Sequence, residues 1–276
     1  MSDSKANIDT VNPSNLVLQE VAKGGILRIT LNDMKRRNAL SEEMMGELAD
    51  AFQQAESDSA VRIIILAANG PAFSAGHDLK QITAGRANAD NGRAYFSQVL
   101  STCSALMQLI VNHSKPIIAE VTGVATAAGC QLVASCDLAL AADSALFSTP
   151  GVHIGLFCST PMVALSRNVS NKAAMEMLLT GEMVSATKAE QIGLVNRVVA
   201  DQKLTEVTMV MAGKIASKST MTLATGKQAF YRQREMTLSD AYDFASQVMV
   251  DNLLKHDAEE GINAFIEKRL PKWLDG

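Results

Sequence analysis

The pattern of apolar and polar residues predicts a chain in which strands and helices alternate. Residues 25–32 alternate apolar with polar side chains, which predicts a strand with one buried face. Residues 61–68 are nearly all apolar, as in a strand that is covered on both faces. Residues 115–121 and 138–141 predict two further strands. Apolar strands of this kind belong to a sheet that helices cover.

Helical spacing fills the segments between and after these strands. Ser41 is a predicted N-cap, because Glu42 and Glu43 follow it in the first turn, where the helix dipole favours acidic residues. The buried stripe of this helix is formed by Met45, Leu48, Ala49, Phe52 and Ala55. Residues 93–111 predict a second helix, preceded by a polar, mobile loop at 82–92. From residue 203 almost to Pro271 the pattern is helical.

One unit occurs twice, at 61–79 and at 115–141: an apolar strand, a small-residue turn and a helix. The repeat suggests a mixed α/β spiral, although periodicity alone does not yield the spiral. We expect a flexible tail at 1–15, a core at 16–200 and a helical region at 201–276. Because the helical region lacks a core of its own, we expect it to complete an oligomer interface.

Composition narrows the class of partner. With 276 residues, 47% of them hydrophobic, the chain can bury a sizeable core. A net charge of −4 without a basic block argues against a nucleic-acid partner. The four cysteines show no CxxC spacing, which favours buried thiols over a metal site or a disulfide.

The sequence also bears on the cellular location. We find no apolar run long enough for a membrane span, so we expect no membrane partner. Residues 1–15 are polar and resemble neither a secretory signal nor an arginine-rich transit peptide. The expected location is therefore the cytoplasm.

Two short turns carry the candidate chemistry. The first is Phe-Ser-Ala-Gly-His-Asp-Leu-Lys at 73–80, and the second is Ala-Ala-Gly-Cys-Gln at 127–131. Each joins an apolar strand to a helix, and two such turns can direct two backbone N–H groups at one carbonyl oxygen, which makes an oxyanion hole. The alternative is that both are only tight connections, in which small residues are common.

These turns, with Asn-Ala-Leu-Ser at 38–41, Cys-Asp at 136–137, Gly-Leu-Val at 193–195 and Phe-Ile-Glu-Lys-Arg at 265–269, resemble the crotonase (enoyl-CoA hydratase/isomerase) family. The runs at 127–137 and 155–161 resemble one subgroup of it. The resemblance implies a crotonase-type spiral of repeated ββα units with a C-terminal helical oligomerisation region. It also implies acyl-CoA thioester ligands, no cofactor beyond their CoA moiety, and a trimer or a dimer of trimers.

The resemblance also implies roles for single residues. The oxyanion-hole N–H donors are those of His77 and Ala128. The CoA moiety is held by backbone near Ala39, Ala75, Asp78 and Leu79, by Arg36 or Arg37 at the phosphates, and by Phe265 and Lys268 from the C-terminal helix. For the three basic side chains, the alternative is a solvated surface charge.

Two catalytic carboxylates of the family are missing. A hydratase has glutamates at the positions of Gln131 and Gly151. An amide can orient a water but accepts no proton near neutral pH, and glycine offers no group at all. General acid–base help is worth about 10²–10⁴-fold, so we expect no efficient hydration.

Two other functions remain open. The run Ser-Ala-Gly-His-Asp at 74–78 is similar to that of methylmalonyl-CoA decarboxylase, where no carboxylate base is needed, although the tyrosine expected downstream is replaced near Cys158. The unperturbed pKa of an imidazole suits proton transfer, so the side chain of His77 is a candidate proton-transfer group; the alternative is a loop residue chosen for its backbone geometry. The other function is non-catalytic acyl-CoA binding. We expect Cys158 and His153 to line the acyl pocket, and Asp137 to serve structure; Asp143 is a further candidate acid.

Overall fold

The computed structural model describes residues 16–275, so the predicted tail at 1–15 lies outside the described residues. The strands are β1 (Val17–Ala22), β2 (Ile26–Leu31), β3 (Ile63–Ala68), β4 (Ala72–Ser74), β5 (Ile117–Val121), β6 (Val124–Thr126), β7 (Leu138–Ala142), β8 (Leu146–Ser148), β9 (Val184–Ser185) and β10 (Arg197–Val199).

The α-helices are α1 (Glu42–Ser57), α2 (Leu79–Gly85), α3 (Arg93–Asn112), α4 (Ala128–Ser135), α5 (Pro161–Leu165), α6 (Asn171–Thr180), α7 (Ala186–Gln191), α8 (Leu204–Ala216), α9 (Thr220–Gln233), α10 (Leu238–Leu253) and α11 (His256–Ile266). Short 3-10 helices lie at Met34–Arg36, Pro150–Ile154 and Asp201–Lys203.

Two sheets run through the core. The larger has the strand order β1-β2-β3-β5-β7-β10 and is parallel except for the β1–β2 pair. The smaller has the order β4-β6-β8-β9 and is parallel except for the β8–β9 pair. The chain supplies one strand to each sheet in turn: β3 then β4, β5 then β6, β7 then β8. This ββα repeat confirms the predicted crotonase-type spiral.

The strongest sequence signals correspond to the best-buried elements. Ser41 caps α1 and accepts a hydrogen bond from the Met44 N–H at 3.2 Å. Residues 63–66 of β3 are fully buried. Phe52 of α1 and Phe147 of β8 are also fully buried and complete the core between the sheets and the helices.

The C-terminal helices attach to this core by α8 and α9. The Asp137 carboxylate accepts hydrogen bonds from the Ile117 N–H at 2.7 Å and the Tyr231 hydroxyl at 3.0 Å, and it pairs with the Lys227 ammonium at 2.8 Å. Asp137 is therefore a structural anchor for α9, as the sequence indicated. Beyond α9, large apolar side chains face solvent, among them Leu254, Phe265 and Leu270, each more than 80% exposed.

Two expectations need correction. Residues 79–85, within and just before the expected loop, form α2, because the Asp78 side chain accepts a hydrogen bond from the Lys80 N–H at 2.9 Å and caps the helix. The second corrected expectation is that no apolar run is long enough for a membrane span. By length and composition alone, the helix α3 is long and apolar enough to cross a membrane. In this fold, however, Cys103, Leu106 and Ile110 of α3 are buried in the core.

Candidate functional site

The two turns that the sequence singles out touch each other. A methyl group on Gly76 would lie 3.0 Å from the Cβ of Ala127 and 3.2 Å from the nitrogen of Ala128. A methyl group on Gly129 would overlap the carbonyl oxygen of Ser74 and lie 2.8 Å from its Cβ. Only residues without a side chain allow this approach, so the glycines at 76 and 129 bring the turns together.

Ala127, the first residue of the second turn, has a strained backbone. Its φ of 50° and ψ of −119° fall in a region that L residues rarely adopt, at a cost of about 1–3 kcal/mol. The Ala127 N–H donates to the Ser148 carbonyl at 2.9 Å, and its own carbonyl accepts from the Gln131 N–H at 3.0 Å. These two bonds fix the conformation that directs the next peptide, which begins α4.

The two predicted donor residues flank this contact in the chain, since His77 follows Gly76 and Ala128 precedes Gly129. Leu40 donates its N–H to the Gly76 carbonyl at 2.8 Å, which holds the first turn beside the residues before α1. Ala128 is the first residue of α4, where backbone N–H groups have no partner inside the helix. Within residues 16–275, neither N–H donates a hydrogen bond to another group.

The positions of the two missing carboxylates differ in their surroundings. Gln131 lies one helical turn after Ala128 and is buried, and its Oε1 has no hydrogen-bond partner among the described residues. A methyl group on Gly151 would lie 2.9 Å from the Leu156 carbonyl oxygen and 3.0 Å from the Cys158 sulfur. The backbone and Cys158 therefore fill the space that a glutamate side chain would enter. Burial raises the pKa of Cys158, so the thiol is protonated at neutral pH.

Three further side chains at the turns, those of His77, Ser148 and Thr149, are polar and uncharged, and none has a hydrogen-bond partner among the described residues. His77 is half-buried. Burial lowers the pKa of its imidazole, and the interaction with the Leu40 backbone raises that pKa by less than burial lowers it. Ser148 and Thr149 are fully buried, and neither hydroxyl has a partner in the described structure. Sequence reasoning missed Ser148 and Thr149; their one signal was their place beside the Pro-Gly pair at 150–151.

Several predicted CoA residues gather next to the first turn. The Ala75 N–H donates to the Arg37 carbonyl at 3.0 Å. Arg36 pairs with Asp33 at 2.5 Å and with Asp78 at 3.5 Å, so two carboxylates already offset its charge. Arg37 is exposed and its guanidinium pairs with no group in the described part of the chain.

The neighbouring loop is held by a buried amide. Asn38 donates through its side chain to the carbonyls of Asn69 at 2.9 Å and Ala72 at 2.8 Å. Ala39, the next residue, is buried, whereas Leu79 at the start of α2 is exposed. The predicted contact residues at 36–39 and 75–79 thus lie next to each other, joined by the Ala75–Arg37 hydrogen bond and the Arg36–Asp78 ion pair.

Other predicted residues lie elsewhere. Phe265 and Lys268 are exposed at the end of α11 and after it, and none of the hydrogen bonds or ion pairs described for residues 16–275 links them to the turns. His153 bonds through Nε2 to the Thr180 carbonyl at 2.8 Å. Asp143 lies on the surface near Asp201. No group of three or more metal-ligating side chains occurs among the described residues.

A cavity with a volume of about 700 Å³ opens beside Gln131, between α3, α4, α5 and α9. Its apolar wall includes Met107, Val111 and Val163. Cys158 and His153, the residues expected at the acyl pocket, are not among those that line it. The volume is in the range of small-molecule sites.

The chain matches known proteins over nearly its whole length. The family model for enoyl-CoA hydratase/isomerase matches residues 21–276. The rat protein named enoyl-CoA hydratase domain-containing protein 3, mitochondrial, is 52% identical over 250 residues, which cover 90% of this chain and 81% of that protein. The human protein of the same name is 50% identical over 250 residues, which cover 90% of this chain and 80% of that protein.

Solved structures of the same family are also similar to this chain. An enoyl-CoA hydratase from Mycobacterium smegmatis superposes with a TM-score of 0.89 at 47% identity, covering 94% of this chain and 99% of that one. Human enoyl-CoA hydratase domain-containing protein 3 superposes with a TM-score of 0.89 at 47% identity, covering 94% of this chain and 100% of that one. These relatives confirm the family and the subgroup that the sequence runs resemble.

The same relatives overturn the predicted location. The rat and human proteins, at about 50% identity, are named mitochondrial, which points to mitochondria. The cytoplasmic prediction is therefore wrong. It depended on the composition of the first fifteen residues, and that composition alone does not decide the compartment.

Proposed function

We propose that this chain, which belongs to the enoyl-CoA hydratase/isomerase family, binds an acyl-CoA thioester with its carbonyl oxygen between the N–H groups of His77 and Ala128. The observation that carries the proposal is the contact of the two turns, each with a backbone N–H that has no partner within residues 16–275. A thioester oxygen gains charge as an enolate forms, and one preorganised donor is worth about 2.7–4 kcal/mol to such an oxyanion.

The strain at Ala127 supports this placement. Backbone strain of this kind persists where the surrounding structure enforces it, and it clusters at functional sites. The α4 dipole adds to the effect, because the first N–H of a helix carries partial positive charge. We infer that the site stabilises an enolate of the bound thioester.

Efficient hydration is not part of the proposal. Gln131 cannot accept a proton, and the backbone and Cys158 close the space beside Gly151. The CoA moiety lies along the surface at 36–39 and 75–79 in this proposal. Its phosphates meet Arg37 rather than Arg36, because two carboxylates already engage Arg36.

A second candidate is decarboxylation of a malonyl-type CoA thioester. The observation that favours it is the imidazole of His77, whose nitrogens have no hydrogen-bond partner within residues 16–275 and whose pKa burial lowers, so that the neutral ring can donate an N–H to the departing carboxylate. In that reaction the C–C bond to the carboxylate breaks, CO₂ leaves, and the electron pair passes into the thioester enolate, which solvent then protonates. The oxyanion hole serves this step without a glutamate.

The cellular location and the oligomeric state are two further parts of the proposal. We place the protein in mitochondria, as the rat and human proteins are named. We also propose a homo-oligomer, a trimer or a dimer of trimers, because α10 and α11 expose large apolar side chains such as Leu253 and Phe265. In such an assembly Phe265 and Lys268 would approach the CoA of a neighbouring copy.

Mass spectrometry of an acyl-CoA panel tests these proposals. The pure protein is incubated with crotonyl-CoA, longer 2-enoyl and 3-enoyl thioesters, and methylmalonyl-CoA. We expect binding of the thioesters and no rapid gain of water. Rapid gain of one water would refute our interpretation of Gln131 and Gly151, and loss of CO₂ would establish the second candidate. Binding without any product would identify a non-catalytic acyl-CoA protein, and no binding would overturn the proposal.

A further inference from the structure

The cavity between α3, α4, α5 and α9 reaches the proposed thioester site at one side. Gln131 lines this cavity and is buried, and its Oε1 has no hydrogen-bond partner among the described residues. Ser135 lines the same cavity one helical turn further along α4, and Ala128 lies one turn before Gln131. Residues three or four apart share one face of a helix. An acyl chain on a thioester held at Ala128 can therefore continue along α4 into the cavity.

The walls of the cavity are apolar and held in place. Met107 of α3 supplies one side, and Val163 and Ala164 of α5 supply another. Asn168 ties α5 to α4, because its side-chain amide donates to the carbonyls of Ala134 and Ala164, both at 2.8 Å. A preformed apolar cavity of this kind suits a hydrocarbon chain.

The rim of the cavity is basic. Arg167, Arg232 and Arg234 line it near the ends of α5 and α9, and Glu235 is the one acidic residue among the described residues that line it. Three arginines and one glutamate leave a net charge of +2 here, on a chain whose total net charge is −4. Apolar walls with a basic rim suit a ligand whose apolar chain ends in an anion.

Two of these arginines also have structural roles. Arg167 donates to the Val163 carbonyl at 3.1 Å and pairs with Glu235 at 3.6 Å, and Arg234 donates to the Arg167 carbonyl at 2.6 Å. A guanidinium has five N–H donors, so these contacts leave donors over on each.

Arg232 is the arginine that is free to bind an anion. Its guanidinium stacks on the Phe244 ring, with 4.6 Å between its central carbon and the ring centroid. None of the hydrogen bonds or ion pairs described for residues 16–275 uses its N–H groups. Stacking on a ring face fixes the plane of a guanidinium and leaves its edge available for bidentate pairing with a carboxylate.

We propose that this cavity holds the far end of an acyl chain that carries a terminal carboxylate, with Arg232 as the group that pairs with it. The ligands of this class are CoA thioesters of dicarboxylic acids. The inference deepens the proposed function and rests on it. A free fatty acid has the same chemistry, but the continuity of the cavity with the α4 face that carries Ala128 favours the thioester.

Calorimetric binding to the full-length protein tests the preference. Hexanoyl-CoA, octanoyl-CoA and decanoyl-CoA are each compared with the thioester of the dicarboxylic acid of the same length. For the length that fits, we expect the dicarboxylic thioester to bind about fivefold more tightly, the scale of an ion pair near the surface. That advantage should shrink as salt is added. Equal or weaker binding of the dicarboxylic thioester at every length would overturn the inference.

Two further results separate this inference from its alternatives. Free octanoate should bind far more weakly than the thioesters. Tight binding of octanoate that octanoyl-CoA does not displace would overturn the inference in favour of a separate fatty-acid site. If none of the six thioesters binds, the proposed function itself fails; if the monocarboxylic thioesters bind and the dicarboxylic ones have no advantage, only this inference fails.

Variants assign the preference to a residue. Arg232→Gln removes the charge and should bring the ratio of the two affinities towards one, whereas Arg232→Lys should retain part of the preference. Arg197→Gln is the matched control, since Arg197 is exposed on β10 and is not among the residues that line the cavity. An unchanged ratio in a folded Arg232→Gln protein would refute the role of Arg232.

Discussion

Gly129→Ala is the perturbation that best isolates the proposed oxyanion hole, because it adds one methyl group where the two turns touch. That methyl would overlap the Ser74 carbonyl oxygen and lie 2.8 Å from both the carbonyl carbon and the Cβ of Ser74. Carbon atoms in contact are normally about 3.5–4.0 Å apart, so the turns must separate by roughly 1 Å. A shift of that size moves the Ala128 N–H away from the thioester oxygen.

The magnitude follows from the loss of one donor. Removal of a preorganised oxyanion-hole donor lowers turnover about 10²–10³-fold, equal to about 2.7–4 kcal/mol. We therefore expect Gly129→Ala to lower turnover by that factor on whichever thioester the panel identifies. If the panel gives no product, the same change should weaken thioester binding relative to free CoA, since free CoA has no carbonyl for the hole.

The assay compares this variant with Gly46→Ala. Gly46 lies inside α1, where an added methyl has no neighbour within 4 Å, so that variant should keep wild-type behaviour. Thermal unfolding of both variants separates a distorted site from an unfolded chain. A folded Gly129→Ala protein with wild-type turnover and thioester binding would refute the placement of the hole at this contact.

Four other outcomes follow from the structure. Gln131→Glu alone should not restore rapid hydration of crotonyl-CoA by mass spectrometry, because the position of Gly151 stays closed; rapid hydration would contradict this. Arg37→Ala should raise the Kd for acyl-CoA several-fold and reduce the salt dependence of that Kd, because the proposed contact of Arg37 with the CoA phosphates is lost. Calorimetry at roughly 50 to 300 mM salt measures both effects. Lys227→Met should lower the free energy of unfolding in urea by about 3–5 kcal/mol, because it leaves the largely buried Asp137 carboxylate without its cation. Burial lowers the pKa of His113, so the folded chain binds fewer protons than the unfolded chain, and stability should fall as the pH drops below about 6.5; His113→Gln should lessen that fall in urea titrations.

The sequence predicted the long elements and missed the short ones that build the site. The helix after Ser41 and the strand at β3 have clear periodicity, and both are present. The strands β4, β6 and β8 have three residues each, too few to show any alternation. Yet these strands carry the two turns and the buried hydroxyls, so the geometry of the site was open to prediction only through resemblance to a family.

The residues of the candidate site also differ in whether the sequence could predict them. His77 and Ala128 lie in motifs whose order along the chain is visible, and in the structure the turns that carry them touch at Gly76 and Gly129. Thr149 had no such signal, because a hydroxyl at the end of a strand is common and its lack of a partner exists only in three dimensions. The approach of Cys158 to Gly151 depends on the path of the 3-10 helix at Pro150–Ile154, which composition does not specify.

The contact between Gly76 and Ala128 also has a kinetic meaning. The two residues are about fifty positions apart and belong to successive repeats of the spiral. The loop between them must therefore close before the proposed donors, the N–H groups of His77 and Ala128, can act together on one oxygen. If the proposed site is right, a folding intermediate with only one repeat in place would contain one of the two donors and should bind a thioester carbonyl weakly. Ligand binding during refolding would therefore report the docking of one repeat on the next, a long-range step that secondary structure formation alone does not reveal.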